Sequence, residues 1–165
     1  MTTNSEPIRV LFVCLGNICR SPTAHGVFES RARERGLYGR IEVDSCGTSR
    51  WHIGEPPDPR AVSEAAARGY DLSALRARQV SEEDFATFHY ILAMDRANLS
   101  DLEASCPPGF EGHLGLFLHF APDVDVEEVP DPYHGGAAGF TRAIDLIEAA
   151  SDGLLDHLAD DGRAG

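Results

Sequence analysis

Residues 8–13 read Ile-Arg-Val-Leu-Phe-Val, apolar but for Arg9, and lead straight into Cys14-Leu15-Gly16-Asn17-Ile18-Cys19-Arg20-Ser21-Pro22. A run this apolar, without the alternation of a half-exposed strand, describes a strand buried on both faces, as in a parallel sheet covered by helices. Pro22 suits the first turn of a helix, where its missing N–H costs nothing, so the pattern predicts a helix with Ser21 as its N-cap. Strand, short loop and helix in that order leave loop amides and a helix N-terminus directing partial positive charge over Cys14. Such an arrangement favours an anion.

Cys14 and Arg20 stand six positions apart across this loop. A helix N-terminus and a neighbouring arginine both favour the thiolate form of a cysteine, so the spacing predicts Cys14 as a nucleophile. Arg20 presents a planar fork that grips two oxygens of a phosphoryl group, where a lysine offers only a point charge. Gly16 permits a tight turn around the anion, and Asn17 tolerates left-handed backbone and can brace the loop. A bare Cys-x5-Arg match arises often by chance, and a free cysteine is often an inert core side chain. The surrounding Gly, Asn, Ser and Pro argue against both readings. Zinc held by Cys14 and Cys19 would need a second pair of ligands at suitable spacing, and none is present. No metal or cofactor is expected.

Downstream, strands and helices alternate as a doubly wound α/β sheet requires. The spacing predicts a helix from Pro22 to Arg35 with Ala24, Val27, Phe28 and Ala32 inward, stopping at Gly36. Ile41–Ser45 reads as a shorter, more exposed strand, and Asp58-Pro59 opens a helix that ends at Gly69. Ser81 and Asp84 resemble a capping box, Phe88–Met94 is a central strand, and Asp95 caps a helix halted by Pro107 and Pro108. Leu114–Phe120 supplies a fourth strand. Phe140, Ile144, Ile147, Leu154 and Leu158 recur at helical spacing and mark a long C-terminal helix.

The stretch Ala121–Gly136 is rich in Pro and Asp and too long for a simple connection, which marks a functional or disordered loop. It follows a strand, as the Cys14 loop does, and ligands of open α/β sheets bind beyond the carboxyl ends of strands. Asp131, read alone, is an ordinary turn residue before proline.

A chain of 165 residues, 42% of them hydrophobic, suffices for one core. One domain is expected over residues 1–165, with ends at 1–6 and 160–165 flexible. A net charge of −13 disfavours nucleic acid as a partner. The polar opening residues and the lack of a long apolar stretch point to no membrane association. Four irregularly spaced cysteines read as free thiols in a reducing compartment, so a cytoplasmic location is expected. All fourteen basic residues are arginine, read here as compositional bias.

Taken together, Cys14 to Pro22, Asp44-Ser45 followed by Trp51, Arg78-Gln79-Val80, Ala93-Met94-Asp95 and Asp131-Pro132-Tyr133 resemble the low-molecular-weight protein tyrosine phosphatases. The resemblance extends from about Ile8 to Leu158. It implies a three-layer α/β/α domain around a four-stranded parallel sheet, and hydrolysis of phosphotyrosine through a phosphocysteine without metal. It implies catalytic roles for Cys14, Arg20 and Asp131, the last as general acid for a phenolate leaving group and then as base for water. Leu15, Gly16, Asn17, Ile18, Cys19 and Ser21 are then phosphate-loop residues, with the Ser21 hydroxyl on the Cys14 sulfur. Trp51 and Tyr133 would flank the substrate ring, and Ser45 would help Asn17 brace the loop.

Two positions depart from the family pattern: Leu75 replaces a histidine that many relatives carry, and His134 replaces a second tyrosine. Cys19 could close a reversible disulfide with Cys14 under peroxide. The resemblance implies a phosphotyrosine protein as partner, a tyrosine kinase being one candidate, and a monomer. Three alternatives stand beside it. An arsenate reductase of this fold needs two further cysteines after the third strand, where Cys106 stands alone. A protein arginine phosphatase typically carries threonine where this loop has Ile18. A non-catalytic phosphopeptide reader would need neither Cys14 nor Asp131.

Overall fold

The computed structural model describes residues 6–132 and 136–160. Apart from Glu6 and Asp160, the ends expected to be flexible lie outside the described residues, as do Tyr133 and His134. Four strands, β1 (Ile8–Cys14), β2 (Ile41–Gly47), β3 (Tyr90–Ala93) and β4 (His113–Leu116), form one parallel sheet in the order β2-β1-β3-β4. β1 pairs along its whole length with β2, from Ile8 opposite Ile41 to Cys14 opposite Gly47. The strand with the most unbroken apolar sequence therefore lies inside the sheet.

Alternate side chains of β1 enter separate cores, as the pleat of a strand dictates. Val10, Phe12 and Cys14 meet one cluster with Phe28, Ile144, Ile147 and Leu154, contributed by α1 (Arg20–Glu34) and α5 (Ala137–Asp160). Leu11 and Val13 meet another with Phe85 of α3 (Asp84–Thr87) and Leu102 of α4 (Arg96–Ser105). Helices thus cover both faces. The expected inward residues Ala24, Val27, Phe28 and Ala32 of α1 are all buried, as are Phe140, Ile144, Ile147, Leu154 and Leu158 of α5. α2 (Pro59–Ala67) begins on Asp58, whose side chain accepts from the Arg60 amide, and is followed by Gly69 at φ +91°.

Three local expectations need correction. Ser21 is not an N-cap: α1 begins at Arg20, so Pro22 occupies its third position and Ser21 lies within the first turn. β2 is as long as β1, running on to Gly47, because its partner register continues to Cys14. The fourth strand stops at Leu116, and Phe117–Phe120 form a 3-10 turn instead. A strand would send Phe117 and Leu118 to opposite faces, whereas the turn buries both in the same cluster, with Phe117 edge-on to Phe12 at 4.8 Å.

Candidate active site

Cys14 is the last residue of β1 and is buried, at the carboxyl end of the sheet. The loop that follows folds back over its side chain. The amides of Asn17 and Ser21 point at the Cys14 sulfur, 3.3 and 3.4 Å away, and Ser21 Oγ lies 3.0 Å from it. Asn17 takes a left-handed φ of +58°, the one positive φ of a non-glycine residue in the described chain. That conformation is strained for most side chains. Here the Asn17 side chain holds it, accepting from the Arg78 amide at 3.0 Å and donating to Ser21 Oγ at 2.8 Å.

The loop rests on the end of β2. Amides of Thr48 and Ser49 donate to the carbonyls of Cys14 and Leu15, and the Asp58 amide donates to that of Ile18. A Cβ at Gly47 would stand 2.6 Å from the Leu15 carbonyl oxygen, so only glycine allows this approach. Ile18 and Cys19 turn their side chains into a small cluster with Ala61, Ala77 and Phe140, while Leu15 lies at the exposed rim. All four cysteines are free. Burial, then the nearby Asp58 carboxylate, pushes the Cys19 thiol up to about 12.

Arg20 is only 3% exposed. Both hydrogens of its Nη1 are engaged, by Asp95 Oδ2 at 2.7 Å and the Val129 carbonyl at 3.0 Å. Arg20 lines the same cleft as Cys14 and Asp131. Burial disfavours its charge, but Cys14, Asp95 and Asp131 outweigh that and hold its pKa above the usual arginine value. Asp131 is 43% exposed at the side chain and places a carboxylate oxygen 3.7 Å from Arg20 Nη2. Two distant segments therefore converge on one arginine, and the amide of Val129 donates to the Met94 carbonyl to secure the second of them.

A cleft of about 150 Å³ joins these groups, lined by residues 14–16 and 18–20 with Trp51, His52 and Asp131. Trp51 is 71% exposed and forms one wall of it. Larger hollows elsewhere, including one of about 720 Å³ beneath the opposite end of the sheet, contain none of these groups. Among the described residues no set of three or more His, Cys, Asp or Glu is arranged to hold a metal ion.

Several contacts of the site are not legible in the sequence. Asp95 caps α4 with one oxygen, 2.8 Å from the Asn98 amide, while its other oxygen holds Arg20. Arg78 spans Asp44 and Asp84, with 3.0 Å contacts to each. Leu75, where the family pattern leads one to expect a histidine, is partly buried against the core, and the imidazole that meets Ser45 comes from His25 of α1 instead.

Comparison with known proteins agrees with this geometry. The family model described as low molecular weight phosphotyrosine protein phosphatase matches residues 9–164. The low molecular weight phosphotyrosine protein phosphatase of Schizosaccharomyces pombe is 45% identical over 160 residues, covering 96% of this chain and all of that protein. A crystal structure of an Entamoeba histolytica protein tyrosine phosphatase superposes with a TM-score of 0.91 at 37% identity, covering 94% of this chain and 99% of that one. A Drosophila arginine phosphatase structure superposes with a TM-score of 0.85 at 33% identity, covering 91% and 97%. The chain belongs to the low molecular weight phosphotyrosine protein phosphatase family.

Proposed function

We propose that this site hydrolyses phosphotyrosine in proteins by two displacements at phosphorus. Cys14 sulfur attacks the phosphoryl group, the bond to the phenolic oxygen breaks, and Asp131 passes its proton to that oxygen. A phenol, of pKa about 10, leaves poorly without this proton. Water then attacks the phosphocysteine, Asp131 takes up the water proton, the S–P bond breaks, and inorganic phosphate departs with the thiolate restored.

Arg20 stabilises the charge spread over the equatorial oxygens, and its anchorage on Asp95 and Val129 supplies the orientation in advance. Ser21 has one hydroxyl hydrogen and two acceptors, the Cys46 carbonyl at 3.2 Å and the Cys14 sulfur. When the sulfur carries charge, the Ser21 hydroxyl donates its hydrogen bond to the sulfur. Asn17, Ser45 and Gly16 keep the loop in shape; Leu15, Ile18 and Cys19 complete the bowl, and Trp51 with Tyr133 would receive the ring. The observation that carries this reading is the convergence of two amides and one hydroxyl on a buried sulfur beside an arginine already anchored for a phosphoryl group.

The partners in this reading are phosphotyrosine proteins, a tyrosine kinase among them, met by a cytoplasmic monomer of one domain. Four free thiols suit a reducing compartment. Asp131→Asn tests the acid role. Turnover of a phenyl-type ester should fall roughly 100-fold or more, and that of an ester with a strongly acidic leaving group much less. Equal losses on both would remove Asp131 from that role. Side-by-side assays on phosphotyrosine and phosphoarginine peptides separate the tyrosine reading from the arginine one, and faster turnover of phosphoarginine would favour the latter.

A further inference from the structure

His25 lies on α1, one turn beyond Ser21, and is only 8% exposed. Its Nδ1 is 3.1 Å from Ser45 Oγ on β2. Residues four apart share a helix face, and this face meets β2 at two successive residues: His25 on the Ser45 side chain, and Ser21 Oγ on the Cys46 carbonyl. The Ser45 amide donates to Asp44 at 2.8 Å, Asp44 holds Arg78, and the Arg78 amide donates to Asn17. Asp44–Arg78 ties β2 to the segment around Arg78, the Arg78 amide ties that segment to Asn17, and Asn17 Nδ2 reaches Ser21 Oγ at 2.8 Å. The His25 contact is the one that ties Ser45 to the helix carrying Arg20 and Ser21.

We infer that His25 is a positioning residue of the phosphatase site, locking the seam between α1 and β2 so that Ser21 Oγ stays on the Cys14 sulfur. The inference rests on the phosphatase reading given above. Once the Ser21 hydroxyl donates to the sulfur it no longer donates to the Cys46 carbonyl, so His25–Ser45 is the hydrogen bond left between this face of α1 and β2, and without it the serine is freer to leave the sulfur. Burial holds the imidazole below its ordinary pKa against the opposing pull of the Glu29 and Asp44 carboxylates.

The test compares His25→Leu, His25→Asn, Ser45→Ala and the double variant His25→Leu/Ser45→Ala. Each is measured for kcat and KM on a phosphotyrosine peptide, for the pH at which iodoacetate alkylates Cys14, and for Tm. Losing one buried hydrogen bond should lower kcat of His25→Leu roughly five- to tenfold with KM nearly unchanged. Its alkylation midpoint should move to higher pH. His25→Asn, whose amide can set either Oδ1 or Nδ2 at the position of Nδ1, should recover most of kcat. The double variant should cost no more than the larger single loss, because both changes remove the same bond. Ser45→Ala removes that bond without altering the helix, so an unstable His25→Leu does not end the test.

Lowered Tm with unchanged kcat and alkylation midpoint in His25→Leu and Ser45→Ala would overturn the inference, as would fully additive losses. A Cys14→Ser control separates the two levels. Activity persisting in that control overturns the phosphatase reading itself, whereas an inactive control beside a fully active His25→Leu overturns only the role of His25.

Discussion

Arg20 shows how a side chain can be made ready for its ligand before the ligand arrives. An arginine pays for its freedom when it is fixed on binding, and its contacts with Asp95 and the Val129 carbonyl meet that cost in the folded state. Asp95→Asn retains a side-chain oxygen able to cap α4 but removes the charge that orients Arg20. Its kcat/KM should fall about 10- to 100-fold, and stability should fall by roughly 1.5–3 kcal/mol, the range for a hydrogen bond to a charged group, because a buried guanidinium loses its paired charge. Steady-state kinetics and chemical denaturation on the same variant check both halves. Cys19 makes the opposite point, since a thiol pushed up to about 12 by burial and by Asp58 stays protonated at neutral pH. Iodoacetate at pH 7 should therefore label Cys14 and leave Cys19 unlabelled, which peptide mass mapping reads directly.

At the scale of elements, the site is built where three strand ends and the starts of three helices, α1, α2 and α4, meet. β1 delivers Cys14, β2 supports the loop, and the segment after β3 begins α4 on Asp95. α2 is tied to the same loop through Asp58, whose amide donates to Ile18 and whose carboxylate caps the helix and pairs with Arg60. Its carboxyl is held below the usual value first by hydrogen bonds from Arg60, against the opposing effect of burial. A depressed carboxyl stabilises the fold above its unfolded value of about 3.9, and that contribution is lost as pH falls through the folded value. Asp58→Asn should accordingly be less stable than the parent at pH 7, with the gap closing below about pH 4. Denaturant midpoints across this range check it, and a gap independent of pH would contradict it.

For the molecule as a whole, what the sequence discloses depends on how far apart the partners lie. The sheet, both helical layers and the Cys14 loop are legible because each rests on local pattern: an apolar run, a helical repeat, a glycine and a proline at fixed spacing. Ser21 misleads because proline at a first turn implies a cap, while the loop here winds into the helix two residues sooner and frees the hydroxyl for the sulfur. Asp95 is half legible: an acidic residue before a helix reads as a cap, but its other partner, Arg20, lies 75 positions away. His25 is silent in the sequence for the same reason, its partner being on another element. Asp131 carries no local signal beyond a turn, and family resemblance alone points to its role.

The chemistry converges on a single bond, between Cys14 sulfur and phosphorus. Rapid acid quenching of the enzyme during turnover of an aryl phosphate, followed by mass mapping, measures it directly. The expected result is one phosphoryl group on the peptide bearing Cys14, absent from Cys14→Ser and accumulating further in a variant slowed in the second step. Full turnover by Cys14→Ser, or a phosphoryl group found on any other residue and not on Cys14, would contradict it.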